Sequence, residues 1–296
     1  MLGTVQFGLN YGIANRTGAP SHSEVCAMLV AGAEGGINCL DTARTYGNSE
    51  EVLGRALEET GLKDHYFVVT KIDSQIPPDL TGEETKAAIQ KSLEESLRRL
   101  RLDVLPLVLL HRDDYPAQMD ALESMRERGL TKRCGVSLGF PNNAPAFLSH
   151  PALAAIQAPV NVLDRRFDEA IRAAKSKSAF VFARSTYLQG LLLMDDASTP
   201  PHLLSIRDER AIFHKMAADL GITPSALLLK AALQRDDLDA VVFGVETITQ
   251  LRENLAVFHS DPLPEDLLKT IHDYRYHGPE WMLHPALWSE HKEAKS

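Results

Sequence analysis

The sequence predicts an α/β fold, a (β/α)8 TIM barrel in one domain over residues 1–296, with a short C-terminal tail from about residue 261. Three observations carry this reading. Short apolar runs alternate with longer amphipathic stretches, which requires parallel strands joined by crossover helices. There are eight such runs; Val5 and Val242, in the first and the last, lie 237 positions apart, so seven steps average about 34 residues. No Ser/Gly linker or composition break divides the chain. Eight units in under 300 residues match a closed barrel, with a doubly wound open sheet as the alternative.

The runs are Gly3–Phe7, Asn38–Thr42, Tyr66–Ile72, Leu105–His111, Arg133–Leu138, Ala154–Ala158, Ala179–Ser185 and Ala240–Val245. Several are rich in Val, Ile and Leu on both faces, as strands buried on both sides must be. Pro106 heads its run, where a missing N–H is tolerated. Between the runs lie helices. Ser21 and Glu24 form a capping box ahead of Val25, Met28, Leu29 and Ala33. Thr81 and Glu84 repeat that signature before the stripe Ile89, Leu93, Leu97 and Leu100. Gly61 stops the helix that follows Asn48. Thr223 and Pro224 open another, with proline at the first helical position. The interval from Ser185 to Gly244 is longer than the rest. It holds a polar loop, Met194 to Pro201, and two helical patterns, around Leu204–Leu220 and Ser225–Leu233. Following a strand end, the loop is either a lid over the functional face or a surface insertion.

Composition bounds the function. With 31 basic and 40 acidic residues, the net charge is −9. Negative charge repels phosphate backbones and anionic lipid, so no nucleic-acid and no membrane partner is expected. At 44% hydrophobic and 24% charged residues the chain can fold on its own core. Cys26, Cys39 and Cys134 are widely spaced and form no CxxC, which fits neither a disulfide framework nor a zinc site. The opening residues lack a basic segment and a long apolar segment, so no signal peptide is expected. The longest apolar stretch, Val104 to Leu110, is far short of a membrane span. The expected location is cytoplasmic. Nothing in the sequence sets the oligomeric state.

Polar residues recur where the runs end: Asp41, Lys71, His111, Ser137, Gln157, Ser185 and Gly244. In a barrel these carboxyl ends converge on one mouth. One segment is more informative than the rest: Gly36-Ile37-Asn38-Cys39-Leu40-Asp41-Thr42-Ala43-Arg44-Thr45-Tyr46-Gly47-Asn48-Ser49-Glu50, continuing to Leu53-Gly54. It resembles the signature of the aldo-keto reductases. The resemblance continues in order through Val69-Thr70-Lys71, Leu109-Leu110-His111, Gly135-Val136-Ser137, Gln157, and Gln250 to Asn254 with Glu253.

The resemblance implies reduction of a small-molecule carbonyl substrate, an aldehyde or ketone, by hydride from NADPH or NADH. The chemistry of four residues agrees with it. A carbonyl accepting hydride needs a proton on its oxygen, which a phenol can supply. An unperturbed tyrosine titrates near ~10 and is a weak donor at neutral pH, and an adjacent lysine cation favours the phenolate. A buried lysine needs a counter-charge. Tyr46 is therefore the expected general acid, Lys71 its modulator, Asp41 the orienter and His111 the carbonyl positioner.

The resemblance also assigns a cofactor set. Ser137 and Gln157 should meet the nicotinamide carboxamide, and Ser185 with the turn Tyr187–Gly190, including Gln189, the pyrophosphate. Gly3 and Thr4 at the first strand, and Gly244, Glu246, Thr247, Gln250 and Asn254 at the last, complete it. The pattern departs in places. Relatives often carry Asn where this chain has Leu138, a contact that Asn161 could replace. They usually carry a ring-stacking aromatic where it has Arg184, and a guanidinium there disfavours a ring that becomes positive on oxidation. Many NADPH-preferring relatives place a cation near the last strand; here Glu246 suits ribose hydroxyls, and Arg252 is the available cation. The preference between NADPH and NADH stays open.

Other groups carry less. His111-Arg112-Asp113-Asp114 is not expected to hold a metal, since neighbours on a loop rarely aim at one ion. Arg112, Asp113 and Asp114 suggest a hydrophilic, sugar-like substrate. In the tail, Trp281 and Trp288 either cap the barrel rim or stack on a sugar. The alternative to an enzyme is a regulatory barrel that binds nicotinamide without turnover, motivated by Leu138 and Arg184. A hydrolase or isomerase on the same fold is the third reading.

Overall fold

The structure is a computed structural model that describes residues 1–15 and 17–293. Its strands are β1 (Leu2–Gly3), β2 (Cys39–Asp41), β3 (Phe67–Lys71), β4 (Leu107–Leu110), β5 (Cys134–Ser137), β6 (Leu153–Pro159), β7 (Phe180–Arg184), β8 (Ala240–Val241) and β9 (Phe243–Gly244). Neighbours pair in parallel in the order β8-β7-β6-β5-β4-β3-β2-β1-β9. β8 pairs with β7, and β9, one residue further on, pairs with β1, so the eighth run closes the cylinder in two pieces. The open-sheet alternative is excluded. Among the described residues no single helix is long and apolar enough to cross a membrane.

The strands' period of two explains what occupies the mouth. Cys39, Val69, Leu107, Leu109, Ala155 and Phe182 form their own buried cluster, which fills the barrel interior. Stepping two residues towards the carboxyl end from Cys39, Val69, Leu109, Gly135, Ala155 and Phe182 reaches Asp41, Lys71, His111, Ser137, Gln157 and Arg184. These share the inward parity of the apolar plug and stand on top of it. The opposite parity, including Leu40, Val68, Val108, Val136, Ile156 and Val181, joins the larger cluster shared with the helices.

The first run departs from expectation. Only Leu2–Gly3 is strand, and Val5–Gly8 is one helical turn. The reason is a backbone approach at Gly8. A Cβ there would lie 2.1 Å from the Tyr46 carbonyl oxygen and 2.4 Å from the Ser49 nitrogen. The turn thus packs main chain on main chain against the loop that carries Tyr46.

The Ser21 capping box is present, with both reciprocal bonds. Thr81 stands at the N-cap of Gly82–Leu100, but its hydroxyl makes no cap, correcting the second box. Gly61, at φ 68°, ends Ser49–Thr60 in the left-handed conformation that glycine adopts without strain. Thr223 caps Pro224–Leu233. Residues 194–201 behave as an insertion: none lines the cavity described below. Arg210 holds this segment by donating to Thr199 Oγ1 at 2.8 Å and to Asp196. The tail packs through Leu263, Ile271, Met282 and Trp288 on a second apolar cluster with Phe213 and Leu227. Trp288 donates to the Met282 carbonyl at 3.0 Å, and Trp281 stacks on His291. Both tryptophans are packing elements of the rim, away from the cavity.

Candidate active site

Lys71 and Asp41 end adjacent parallel strands; the register pairs Asp41 with Val69, so Lys71 stands two residues further towards the mouth on the same face. The Lys71 ammonium donates to Asp41 Oδ1 at 2.6 Å and to the Thr42 carbonyl at 3.1 Å. Lys71 is 1% exposed. Asp41 Oδ1 also accepts from Gln157 Nε2 at 2.7 Å, across the mouth. The Lys71 ammonium lies 5.1 Å from the centre of the Tyr46 ring. His111 meets that ring edge-on at 5.7 Å between centroids. The structure therefore brings together all four residues that the sequence singled out for catalysis.

Their electrostatics follow from burial. Burial pushes the Tyr46 phenol above its ordinary value, while Lys71 and Arg184 pull it back. The expected lowering by Lys71 operates, but burial outweighs it in the free protein. Lys71 is held above its usual value: burial opposes the charge, but Asp41 and Tyr46 stabilise it. His111 is lowered to about 3, first by burial and then by the Lys71 and Arg184 cations. It is neutral at physiological pH. Thr45 Oγ1 lies 3.0 Å from its Nδ1.

A cavity of about 700 Å³ opens from Tyr46 and His111, passes Ser137, Gln157 and Arg184, and reaches Glu246, Gln250, Glu253 and Asn254. Gly3, Ser185, Tyr187, Gln189 and Gly244 also line it. At its far end the Gln6 side chain packs directly on the Gly244 main chain. A Cβ on Gly244 would meet Gln6 Oε1 at 2.5 Å, and that oxygen is buried without a partner. The lining fits a nicotinamide dinucleotide in its chemistry: Ser137, Gln157, Gln250 and Asn254 offer hydrogen-bonding side chains, and Gln6 Oε1 is a buried acceptor without a partner.

Several sequence expectations need correction. Thr4 is fully buried, with its hydroxyl on the Asp41 carbonyl at 3.0 Å and beside Ser49, and does not line the cavity. Thr247 does not line it either; its hydroxyl caps the helix Ile248–His259 by accepting from Gln250 N–H. Leu138 has the outward parity and lies in the helix-facing core. Asn161 does not replace it: it does not line the cavity, and its side chain bonds Ser185 O, Leu163 N–H and Asp164 N–H. Arg252 is exposed and lies outside the lining. Arg112 and Asp114 pair with each other at 2.5 Å, and Asp113 accepts from the Gly139 and Phe140 N–H groups, so none of the three faces the cavity.

Sequence reasoning missed a second set of lining residues. Tyr11 and Asn15 enter from the loop after the first helical turn, and Leu193, Leu283 and His284 from later segments. Tyr11 accepts from Gln189 Nε2 at 2.9 Å. His284 stacks on Phe140 at 4.5 Å. No local spacing marks these positions; the aromatic Tyr11 beside Gly12 was the available signal.

The structure is thus a closed parallel barrel with Asp41, Tyr46, Lys71 and His111 gathered at its carboxyl mouth. The sequence model described as the aldo/keto reductase family matches residues 1–275. The chain belongs to that family. It is 25% identical to the uncharacterized oxidoreductase YqkF of Bacillus subtilis over 272 residues, covering 85% of this chain and 88% of that one. It is 26% identical to pyridoxine 4-dehydrogenase of Escherichia coli over 250 residues, covering 80% and 81%. Among solved structures, the holo form of the aldo-keto reductase AKR11C1 from Bacillus halodurans superposes with a TM-score of 0.73 at 23% identity, covering 91% and 89%. The glycerol dehydrogenase AKR11B4 of Gluconobacter oxydans does so with a TM-score of 0.71 at 24% identity, covering 92% and 90%.

Proposed function

We propose that this chain reduces a small aldehyde or ketone, with NADH as the hydride source and Tyr46 as the proton donor. The observation that carries the reading is the Tyr46 ring 5.1 Å from a fully buried Lys71 ammonium, itself held by Asp41. The bound cofactor supplies a hydride to the carbonyl carbon. The protein supplies the rest. Tyr46 gives its phenolic proton to the carbonyl oxygen, and Lys71 stabilises the phenolate left behind. Asp41 fixes the ammonium, and Gln157 fixes Asp41. In the tautomer that accepts from Thr45 Oγ1 at Nδ1, the neutral His111 carries its proton on Nε2 and offers it to the same carbonyl oxygen.

NADH rather than NADPH follows from charge. Glu246 and Glu253 line the far end of the cavity, and among the described residues no lysine or arginine joins them there. Carboxylates accept from ribose hydroxyls and repel a 2′-phosphate. The lining also combines Tyr11, Asn15 and His284 with Leu193 and Leu283, which suits a small polar carbonyl compound, sugar-like aldehydes included. Three free cysteines fit a reducing, cytoplasmic setting.

The test is NADH oxidation across a panel of aldehydes and ketones, with wild type and Tyr46→Phe. Turnover should fall by about 10²–10⁴-fold in the variant, while NADH binding, read by fluorescence, persists. Comparable turnover without the phenol rejects the assignment. NADH binding with no turnover in wild type across the panel would leave a nicotinamide-binding barrel of the regulatory kind.

A further inference from the structure

Arg184 ends β7 with the inward parity of Phe182. Its Nη2 donates to the Leu138 carbonyl at 2.8 Å and its Nη1 to Ser185 Oγ at 3.1 Å. The guanidinium is therefore clamped across the ends of β5 and β7 and cannot swing away without losing both bonds. Neither partner carries charge. Among the described residues, no carboxylate lies within ion-pair reach of it, and it is the one arginine or lysine lining the cavity. Asp41 is already matched by Lys71 at 2.6 Å. With His111 neutral, this end of the cavity carries one uncompensated positive charge. That charge reaches the reacting groups, since it pulls down both Tyr46 and His111.

The step beyond rests on the proposed function. A hydride donor must come within about 3–3.5 Å of a carbonyl held at Tyr46 and His111. That requirement puts the nicotinamide ring among Ser137, Gln157 and Arg184. The reduced ring is neutral, whereas the oxidised ring bears a positive charge. We propose that Arg184 makes this protein discriminate by charge between the two redox forms of its cofactor, holding the reduced form and expelling the oxidised one. Two like charges a few ångströms apart in a partly buried site repel strongly enough to change an affinity by about tenfold or more. Arg184 thereby favours the direction of carbonyl reduction, because release of the oxidised cofactor is assisted. A stacking aromatic at the same position would lack this bias.

The experiment measures Kd for NADH by fluorescence titration and Kd for NAD⁺ by competition, in wild type, Arg184→Gln and Arg184→Lys. In wild type, NAD⁺ should bind at least about tenfold more weakly than NADH. In Arg184→Gln the ratio should shrink about tenfold, chiefly because NAD⁺ binds more tightly, a gain that a damaged fold cannot produce. Arg184→Lys keeps the charge and should keep most of the ratio. A wild-type ratio near one overturns the proposal whatever the variants do. So does an Arg184→Gln variant that binds NADH and leaves the ratio unchanged. Absence of NADH binding to wild type would instead remove the proposed function, and this inference with it.

Discussion

Lys71 Nζ and Asp41 Oδ1 lie 2.6 Å apart, with side-chain exposures of 1% and 7%, so a full ion pair is sealed between the barrel's apolar plug and its open mouth. Removing one member of such a pair strands the other's charge, which typically costs about 3–5 kcal/mol. Asp41→Asn should lower stability by that order, because the buried Lys71 ammonium then has no counter-charge. Lys71→Met should cost less, since Asp41 keeps its bond from Gln157. The double variant should recover part of the loss. Urea unfolding of the three variants checks this, and an Asp41→Asn protein as stable as wild type would contradict it.

His111 gives the fold an acid limb. Its folded value, about 3, lies below the ordinary 6.5. Above pH 6.5 the ring is neutral in both folded and unfolded chains and adds no pH dependence. Below that, the unfolded chain takes up a proton that the folded site refuses, so stability falls as pH drops from about 6.5 towards 3. His111→Gln should flatten that limb, read from urea midpoints between pH 7 and pH 4. The pH–rate profile above pH 6.5 should show no His111 ionisation.

Glu246 stands at the far end of the cavity and accepts from Thr17 Oγ1 at 3.1 Å. Glu246→Gln should raise the affinity for NADPH relative to NADH by about tenfold, since one like charge is removed from the 2′-phosphate's surroundings. Paired fluorescence titrations check the ratio. An unchanged ratio would mean that the preference is set elsewhere.

A Cβ on Gly8 would lie 2.1 Å from the Tyr46 carbonyl oxygen. Gly8→Ala must push that loop outward. Overpacking of this kind typically costs about 1–3 kcal/mol. The loss of turnover should exceed what the stability change explains, because the displaced group is Tyr46 itself. Melting temperature and kcat measured together test it; loss of stability with kcat unchanged would show that the loop absorbs the methyl group elsewhere.

Much of this molecule was legible before folding. The alternation of runs, the spacing and the strand-end residues marked the barrel and the Asp41, Tyr46, Lys71 and His111 group. Parity could have carried the reading further. Counting by two from Phe182 or Gly135 already turns Arg184 inward and Leu138 outward. Other features were not legible. Thr4 and Thr247 sit beside true lining residues, but their hydroxyls are consumed by local bonds. Arg112, Asp113 and Asp114 look like a polar rim, but Asp113 turns back to hold the β5 loop.

The sequence by itself determined that side chains alternate between two faces along each strand, because that alternation depends only on local periodicity. It also determined which chemistries stand at the strand ends. Only the tertiary structure decided which of those groups are free to act. Burial set the balance on the Tyr46 phenol, pairing neutralised Lys71 but left Arg184 uncompensated, and the tail placed Leu283 and His284 beside residues far away in sequence. Those outcomes depend on distance and on exclusion of water, which exist only once the cylinder has closed.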